Sequence, residues 1–194
     1  MDSVKSQSYE VHINELAKAA LNQHVANRKY SKIFLLVDEN TKKYCLPVFK
    51  EIFDGPVDFI LEIQSGEENK HIHTCLQIWE DLSNLDGDRK SLLINLGGGV
   101  LTDMGGFVGI DFINIPTTLL AMVDASIGGK TGVDLGSLKN QIGVINQPQM
   151  VLIFPEFLTT LDPRQIKSGY AEMLKHGLIK DKDYIYSSLT KDLY

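Results

Sequence analysis

Short apolar runs alternate with amphipathic segments along most of this chain. Each run ends in polar residues, as expected of a parallel strand that is buried on both faces. The runs that we predict to be strands are KIFLLVDEN at residues 32–40, VDFILEI at 57–63, SLLINL at 91–96 and IDFINI at 110–115, with Pro116 stopping the last.

The segments between these runs have helical spacing. We predict a short helix over residues 44–53, interrupted near its start by Pro47, and the beginning of another at residues 103–108. A longer helix follows SGEENK, and its predicted apolar face consists of Ile72, Leu76, Trp79 and Leu82. The last predicted helix covers residues 163–179, with nothing strand-like after it.

Strands that alternate with helices predict a parallel sheet joined by right-handed crossovers, which is a doubly wound α/β domain. The alternation stops at about Pro163. We therefore divide the chain into an α/β domain, residues 1–162, and the beginning of a truncated helical domain, residues 163–194.

Composition narrows the class of protein without changing this picture. The 194 residues are 43% apolar and 23% charged, which suits a globular protein with a substantial core. The net charge of −6 argues against a nucleic-acid partner. Cys45 and Cys75 give no disulfide framework, and the polar N-terminus lacks the apolar region of a signal peptide. With no apolar run of roughly 18 residues, we expect a cytoplasmic protein with no membrane partner.

Polar residues and glycines follow each predicted strand. Ligands in open α/β sheets bind beyond the carboxyl ends of the strands, and glycines there let backbone N–H groups approach a phosphate. A nucleotide crevice is therefore favoured over a tight turn without a ligand, and Asp38 or Glu67 could accept hydrogen bonds from ribose hydroxyls. The strand-end residues are Asp38, Glu39 and Asn40, then Gly66, Glu67 and Lys70, then residues 97–99 with Asp103, then Thr117 and Thr118.

Residues 123–143 combine lysines with glycines. Lysines between glycines suit a bound anion, because a flexible stem delivers the charge while the glycines let the chain wrap around the ligand. A mobile surface loop with solvated lysines is the alternative. The polar residues are Asp124, Lys130, Lys139 and Asn140, among Gly128, Gly129, Gly132 and Gly136.

Glu172, Lys175 and His176 share one face of the last predicted helix. A carboxylate and an imidazole at this spacing could both hold a metal ion such as Zn²⁺. On the pattern alone, an exposed Glu–Lys pair is favoured.

The motifs that follow one another along the chain resemble the sugar-phosphate cyclase family typified by 3-dehydroquinate synthase. The resemblance covers about residues 32–181, and the segment IPTTLLAMVDASIGGKTG is its most specific part. The other segments are GEENK, GGGVLTD, GF, KN, IG, FLTTL and AEMLKHGLI.

The resemblance implies a Rossmann-like, NAD-binding α/β domain followed by a helical domain, with a divalent metal, zinc or alternatively cobalt, between them. The implied lyase activity converts 3-deoxy-arabino-heptulosonate 7-phosphate into 3-dehydroquinate and phosphate in the shikimate pathway. Transient oxidation by NAD acidifies a neighbouring proton, phosphate is eliminated, the ketone is reduced again and an aldol step closes the ring. A homodimer is also implied.

Residue by residue, the resemblance implies three sets of site residues. The set implied in catalysis is Lys130, Lys139, Asn140, Lys175 and Asp124. The metal ligand is Glu172, whereas His176 occupies a position where the family places no ligand. The NAD contacts are Asp38, Ser65, Gly66, Glu67, Glu68, Asn69, Lys70, Gly98, Gly99, Val100, Asp103, Thr117, Thr118, Lys130, Lys139, Phe157, Leu158, Thr159 and Thr160.

Three departures from the family pattern affect this interpretation. Val108 runs directly into Gly109, without the Arg-Gly pair whose arginine helps to bind the substrate phosphate. The predicted crossover is then too short, so either a segment was deleted or residues are missing from the sequence, and we favour the second. The two histidines that complete the family's metal site are absent with the second domain. The family's Leu-Gly-Lys-Asn reads Ser137-Leu138-Lys139-Asn140 in this chain.

Several functions remain open at this point. The leading one is an incomplete 3-dehydroquinate synthase that as it stands can at most bind NAD. Another cyclase of the inosose or valiolone synthase type and a non-catalytic NAD-binding module are the alternatives. An NAD-dependent polyol dehydrogenase is disfavoured by GGKTG followed by KN.

Overall fold

A computed structural model describes residues 3–5, 8–181 and 183–184. Its strands are β1 (Ser3–Lys5), β2 (Glu10–Ile13), β3 (Ile33–Asp38), β4 (Phe59–Ile63), β5 (Leu92–Gly97), β6 (Asp111–Pro116), β7 (Lys130–Leu135), β8 (Leu138–Ile145) and β9 (Met150–Ile153). Its α-helices are α1 (Glu15–Asn27), α2 (Glu39–Tyr44), α3 (Leu46–Ile52), α4 (Ile72–Asn84), α5 (Gly99–Gly105) and α6 (Pro163–Lys180). Short 3₁₀ helices cover Glu67–Asn69 and Pro155–Thr160, and a π-helical turn covers Ala121–Ala125.

Seven strands form one sheet in the order β1-β2-β9-β6-β5-β3-β4. Every pairing is parallel except that of β1 with β2. The register pairs Asp38 with Ile63 and Gly97 with Pro116, so the carboxyl ends of the central strands lie side by side. The predicted doubly wound, mostly parallel α/β fold is confirmed.

Helices cover both faces of this sheet. On one face, α1 and α3 pack on the strands through residues such as Leu21, Phe49 and Ile52. On the other face, α4 and α5 do so through Ile78 and Met104. Burial on both sides explains why β3, β5 and β6 are nearly continuous apolar runs.

β7 and β8 form a separate antiparallel ribbon. Val133 of β7 is fully buried with α4 and α5, whereas nearly every residue of β8 is exposed. The ribbon is therefore anchored to the domain by one strand, and the other faces outward.

Several predicted helix features were wrong. The helix predicted to begin at residue 103 is α5, which begins at Gly99 because its first turn follows β5 directly. The short helix predicted over residues 44–53 is confirmed as α3 (Leu46–Ile52), with Pro47 at its beginning, where a proline is tolerated. The sequence patterns missed α2 (Glu39–Tyr44), which directly precedes it. In α4, Leu76 is 42% exposed and the buried face includes Cys75 and Ile78 instead.

The crossover between β5 and β6 closes without additional residues. Residues 98–110 contain α5 and a turn, about the dozen residues that a parallel connection requires. Val108 is buried in the core on the α4 side, and Gly109 lies in the exposed turn before β6. The expectation that this connection is too short was wrong, because α5 begins earlier than its sequence pattern indicated.

Sequence patterns did not predict β1, β2, α1, β9 or the β7–β8 ribbon. The predicted helix at residues 163–179 is confirmed as α6. The division at residues 162 and 163 stays a prediction, and residues 182 and 185–194 of its second part lie outside the described residues. Within the described residues, no helix combines the length and apolar character that crossing a bilayer requires.

Candidate active site

A cleft of about 840 Å³ opens beyond the carboxyl ends of β3, β5 and β6. This is the place where open α/β sheets bind ligands. Most of the predicted NAD-contacting residues line it: Asp38, Ser65, Gly66, Glu67, Lys70, Gly98, Gly99, Val100, Asp103, Thr117, Thr118, Phe157 and Thr160.

The glycines after β5 bring the chain close to its neighbours as well as to the cleft. A Cβ atom on Gly98 would lie 3.1 Å from Cγ2 of Thr118, and one on Gly97 would lie 2.6 Å from Cδ1 of Leu101. Neither glycine has a positive φ. Close packing between β5, α5 and the end of β6 therefore requires these glycines, and it leaves the backbone of Gly98 and Gly99 bare on the cleft side.

An ion pair that the sequence did not reveal joins Lys70 to Asp103 at 2.5 Å. The side chains are only 8% and 14% exposed. Burial raises the pKa of Asp103 to about 6, while the Lys70 ammonium acts in the opposite direction. A buried charge pair at the wall of a nucleotide-sized cleft is a candidate for binding polar parts of a ligand.

The ribbon brings one predicted residue to this pair and another to the neighbouring Glu67. Lys70 donates a hydrogen bond to Oδ1 of Asn140 at 2.9 Å, and Lys139 lies 3.4 Å from Oε1 of Glu67. Asn140 has a φ of 51° and its N–H donates to Asp134, whose own N–H donates to the backbone carbonyl of Lys70. The ribbon is thus tied to the cleft at its β7–β8 turn.

Asp38 and Thr118 each cap a helical segment at the cleft. The carboxylate of Asp38 accepts from the N–H of Thr41 at 2.7 Å, and the Thr41 hydroxyl accepts from the N–H of Asp38, which forms a capping box. Burial raises the pKa of Asp38, and the hydrogen bonds from Thr41 oppose that rise. The Thr118 hydroxyl accepts from the N–H of Ala121. Both side chains therefore have structural partners in addition to any ligand.

Some predicted NAD contacts lie elsewhere. Glu68 and Asn69 line a second cavity of about 880 Å³, beside β4 and α4. Leu158 packs against the apolar core, and the Thr159 hydroxyl donates to the carbonyl of Glu156. Lys130 begins β7 with an exposed side chain and is not among the described residues that line the cleft. The roles of these residues stay predictions.

Glu172, Lys175, His176 and Asp124 lie together where α6 meets the π-helical turn. Lys175 forms an ion pair with Oε1 of Glu172, and His176 Nε2 lies 3.2 Å from the same oxygen. His176 Nε2 is also 3.8 Å from Oδ1 of Asp124. The structure brings His176 into the predicted metal region, although the family resemblance gave it no role there.

Sequence analysis did not single out nine of the residues that line the cleft: Thr41, Tyr44, Cys45, Leu101, Leu120, Ala125, Leu161, Asp162 and Gln165. Asp162 is also the N-cap of α6, and its carboxylate accepts from the N–H of Arg164. An Asp before Pro163 is a readable capping signal, so the beginning of α6 was predictable although its position at the cleft was not.

Comparison of the sequence with known proteins shows that the chain is similar to 3-dehydroquinate synthases. A sequence model described as the N-terminal part of 3-dehydroquinate synthase matches residues 60–168. A 3-dehydroquinate synthase from Parabacteroides distasonis is 46% identical over 182 residues, covering 91% of this chain and 52% of that protein. The chain thus spans about half the length of the curated relatives it matches.

Two solved structures with similar folds contain nucleotide and metal. A 2-epi-5-epi-valiolone synthase from Streptomyces hygroscopicus subsp. jinggangensis 5008, with NAD⁺ and Zn²⁺ bound, has a TM-score of 0.76 at 29% identity and covers 94% of this chain and 53% of its own. A 2-deoxy-scyllo-inosose synthase complexed with carbaglucose-6-phosphate, NAD⁺ and Co²⁺ has a TM-score of 0.75 at 27% identity, over 88% of this chain and 48% of its own.

Proposed function

Because this chain belongs to the 3-dehydroquinate synthase family, we propose that it forms the NAD-binding part of an enzyme that converts 3-deoxy-arabino-heptulosonate 7-phosphate into 3-dehydroquinate and phosphate. The observation on which this depends is the cleft at the carboxyl ends of β3, β5 and β6, lined by Gly98, Gly99 and polar strand ends. The ligands bound in the valiolone and inosose synthase structures support NAD and a divalent metal as the cofactors.

The cleft offers the polar groups that NAD binding requires. The bare backbone at Gly98 and Gly99 suits the pyrophosphate, which needs N–H donors and close approach. Asp38 and Glu67 can accept hydrogen bonds from ribose hydroxyls across the cleft. Lys70 and Asp103 offer a donor and an acceptor for the remaining polar part of the cofactor. NAD supplies the transient oxidation that makes the elimination of phosphate feasible.

Lysines around the ribbon suit the anionic substrate. Lys139 lies beside Glu67 in an exposed position, and Lys130 is exposed at the beginning of β7. Lys175 is half exposed next to Glu172. We assign these lysines, with Asn140 and Asp124, to substrate binding and proton transfer in the assembled enzyme, where a phosphate and several hydroxyls must be held.

The proposed enzyme has two domains, residues 1–162 for NAD and residues from 163 onward for metal and substrate. The last strand of the described residues, β9, ends at Ile153, and α6 begins at Pro163. Leu178 and Ile179 on α6 are 77% and 75% exposed, which supports packing against further helical structure.

We also propose a homodimer, which sedimentation of the assembled enzyme would test.

Titration calorimetry with NAD tests the cofactor site. We expect the chain to bind NAD and Gly98→Val to weaken binding at least about tenfold, because its side chain would crowd Thr118 and cover the backbone that meets the pyrophosphate. Gly109→Val is the matched control, since a Cβ atom there meets nothing within 4 Å. No NAD binding by the parent chain, or equal affinity in both variants, would contradict the proposal.

Another sugar-phosphate cyclase is the second candidate, favoured by the two solved structures. Their names indicate inosose and valiolone products, and their folds match this one closely. Turnover assays of the full-length enzyme with 3-deoxy-arabino-heptulosonate 7-phosphate, heptulose 7-phosphate and glucose 6-phosphate separate the candidates. Preference for either of the last two would replace the leading proposal.

A further inference from the structure

The β7–β8 ribbon contains a bulge at the position of two predicted site residues. Its register shifts at Asp134, which alone lies opposite residues 139–141 of β8. Bulges interrupt strand pairing and re-aim side chains, and they are over-represented next to active sites. The bulged segment contains Lys139 and Asn140, so the irregular pairing determines where both side chains lie.

Asp134, Asn140 and Lys70 form a closed ring of hydrogen bonds across this bulge. The backbone N–H of Asn140 donates to Oδ1 of Asp134 at 2.7 Å, and the N–H of Asp134 donates to the carbonyl of Lys70 at 2.9 Å. The Lys70 ammonium then donates to Oδ1 of Asn140 at 2.9 Å. A parallel bridge between His71 and Asp134 continues the contact along the chain. The ring therefore joins the bulge to the segment before α4.

We propose that Asp134 is a positioning residue, which fixes the bulge of β8 and so aims Asn140 at Lys70. The same bulge carries Lys139, which lies beside Glu67. Asp134 itself is not among the described residues that line the cleft, and the family resemblance gave it no role. The inference rests on the proposed function, in which the residues that Asp134 holds contact NAD or substrate.

The backbone of Asn140 depends on this support. Its φ of 51° lies in the left-handed region, which non-glycine residues occupy where the surrounding contacts determine it. The bulge also removes Asn140 from the pairing with β7, so its N–H needs another acceptor. The carboxylate of Asp134 supplies that acceptor, and without it the conformation of the bulge loses its main restraint.

The ring also orients the ammonium of Lys70. The Lys70 side chain is 8% exposed, and an ammonium has three N–H donors. One contact is with Asp103 at 2.5 Å, and another is with Asn140 at 2.9 Å. Fixing two donors also fixes the direction of the third, and Lys70 lines the cleft. A group that is ordered before the ligand arrives costs less free energy to use in binding.

Calorimetric titration of NAD into the full 194-residue chain compares two substitutions at this position. Asp134→Ala removes the acceptor, and we expect NAD affinity to fall at least about fivefold, because the ligand must then order Lys70 and Asn140. Asp134→Asn keeps an acceptor oxygen at the same place, so its affinity should stay within about threefold of the parent.

Asp58→Ala is the matched control. Asp58 accepts from the backbone N–H of Ile33 at the same 2.7 Å, but at the amino end of β3, away from the cleft. This variant loses a comparable hydrogen bond and should bind NAD as the parent does. Circular dichroism confirms that each variant is folded.

Amide hydrogen exchange tests the ring without any ligand. The Asn140 amide should exchange at least about tenfold faster in Asp134→Ala than in the parent, and Asp134→Asn should restore its protection. The Asn146 amide donates to the carbonyl of Gly129 at the other end of the ribbon. Its exchange rate should be the same in all three proteins, which shows that the ribbon stays folded.

Unchanged exchange at Asn140 in Asp134→Ala would overturn the inference. So would equal losses of NAD affinity in Asp134→Ala and Asp134→Asn, or in Asp134→Ala and Asp58→Ala. The two proposals fail separately. If the parent chain does not bind NAD, the proposed function is rejected while the exchange of Asn140 still decides the role of Asp134. If NAD binds the parent and Asp134→Ala equally well, this inference alone is rejected.

Discussion

The burial of Asp103 beside Lys70 makes the stability of the chain fall as pH rises, the reverse of the usual behaviour of an aspartate. Burial raises the pKa of Asp103 to about 6, with Glu67 and Asp134 adding to the rise and Lys70 opposing it. In the unfolded chain an aspartate titrates near about 3.9. Between these values the folded state binds more protons than the unfolded state, so the contribution of Asp103 to stability falls as pH rises from about 4 to 6.

Asp103→Asn should remove this dependence, because asparagine resembles the protonated acid and can still accept from Lys70. We expect the variant to be more stable than the parent at pH 7.5 by about 1–3 kcal/mol and nearly equal at pH 4. Urea unfolding at several pH values measures the difference. Asp54→Asn, which removes an exposed carboxylate, is the control. A variant less stable than the parent at pH 7.5 would show that attraction to Lys70 dominates over burial.

Individual site residues were predictable where the family pattern or a local motif identified them. Asp38 shows the limit, because the sequence D-x-x-T also signals a capping box, and the structure finds Asp38 bonded to Thr41. The pairing of Lys70 with Asp103 was not predictable, since it depends on the packing of α5 against the segment before α4. The helical spacing predicted that His176 lies beside Glu172. Only the tertiary structure shows that Asp124 lies near both of them.

At the scale of elements, α5 depends on a glycine at its end. A Cβ atom on Gly105 would lie 2.0 Å from Oδ1 of Asn95, a buried residue of β5. Asn95 donates to Oδ1 of Asn114 at 2.9 Å, and Asn114 donates to the carbonyl of Ser126. A side chain at position 105 would therefore push on buried polar groups as well as on the sheet.

We expect Gly105→Ala to lower the free energy of unfolding by about 1–3 kcal/mol, the usual cost of overpacking a core. The helix itself would gain from alanine, so a loss would come from the contact with Asn95. Urea unfolding compares this variant with Gly109→Ala, where a Cβ atom meets nothing within 4 Å. If Gly105→Ala is as stable as the control, α5 can shift and the close contact is not essential.

The apolar strands and α6 were predictable because each has a regular pattern along its whole length. The β7–β8 ribbon was not, because Leu135, Leu138 and Ile145 are exposed and its order comes from pairing and from contacts with Lys70. The beginning of α5 was missed for a related reason. Glycine disfavours helices, so no sequence signal indicated that α5 begins at Gly99, where the chain packs close to Ala125.

At the scale of the whole molecule, the junction between α6 and the sheet domain links the two parts of the proposed enzyme. Gly169 is buried there, against Leu119 and Leu120. The cleft includes Asp162 and Gln165 near the beginning of α6, and Glu172, the proposed metal ligand, lies further along the same helix. The packing of Gly169 against Leu120 therefore sets the position of α6 on the sheet domain.

Gly169→Val tests the importance of this contact. Valine favours helix more than glycine does, so α6 itself should not weaken, but the side chain would meet backbone at Leu120 and move the helix away from the π-helical turn. We expect the free energy of unfolding, measured in urea, to fall by about 1–3 kcal/mol, the usual cost of overpacking a core. Ser168→Val, at the exposed neighbouring position, is the matched control. If Gly169→Val is as stable as Ser168→Val, α6 can shift without loss and its close contact with Leu120 is not essential.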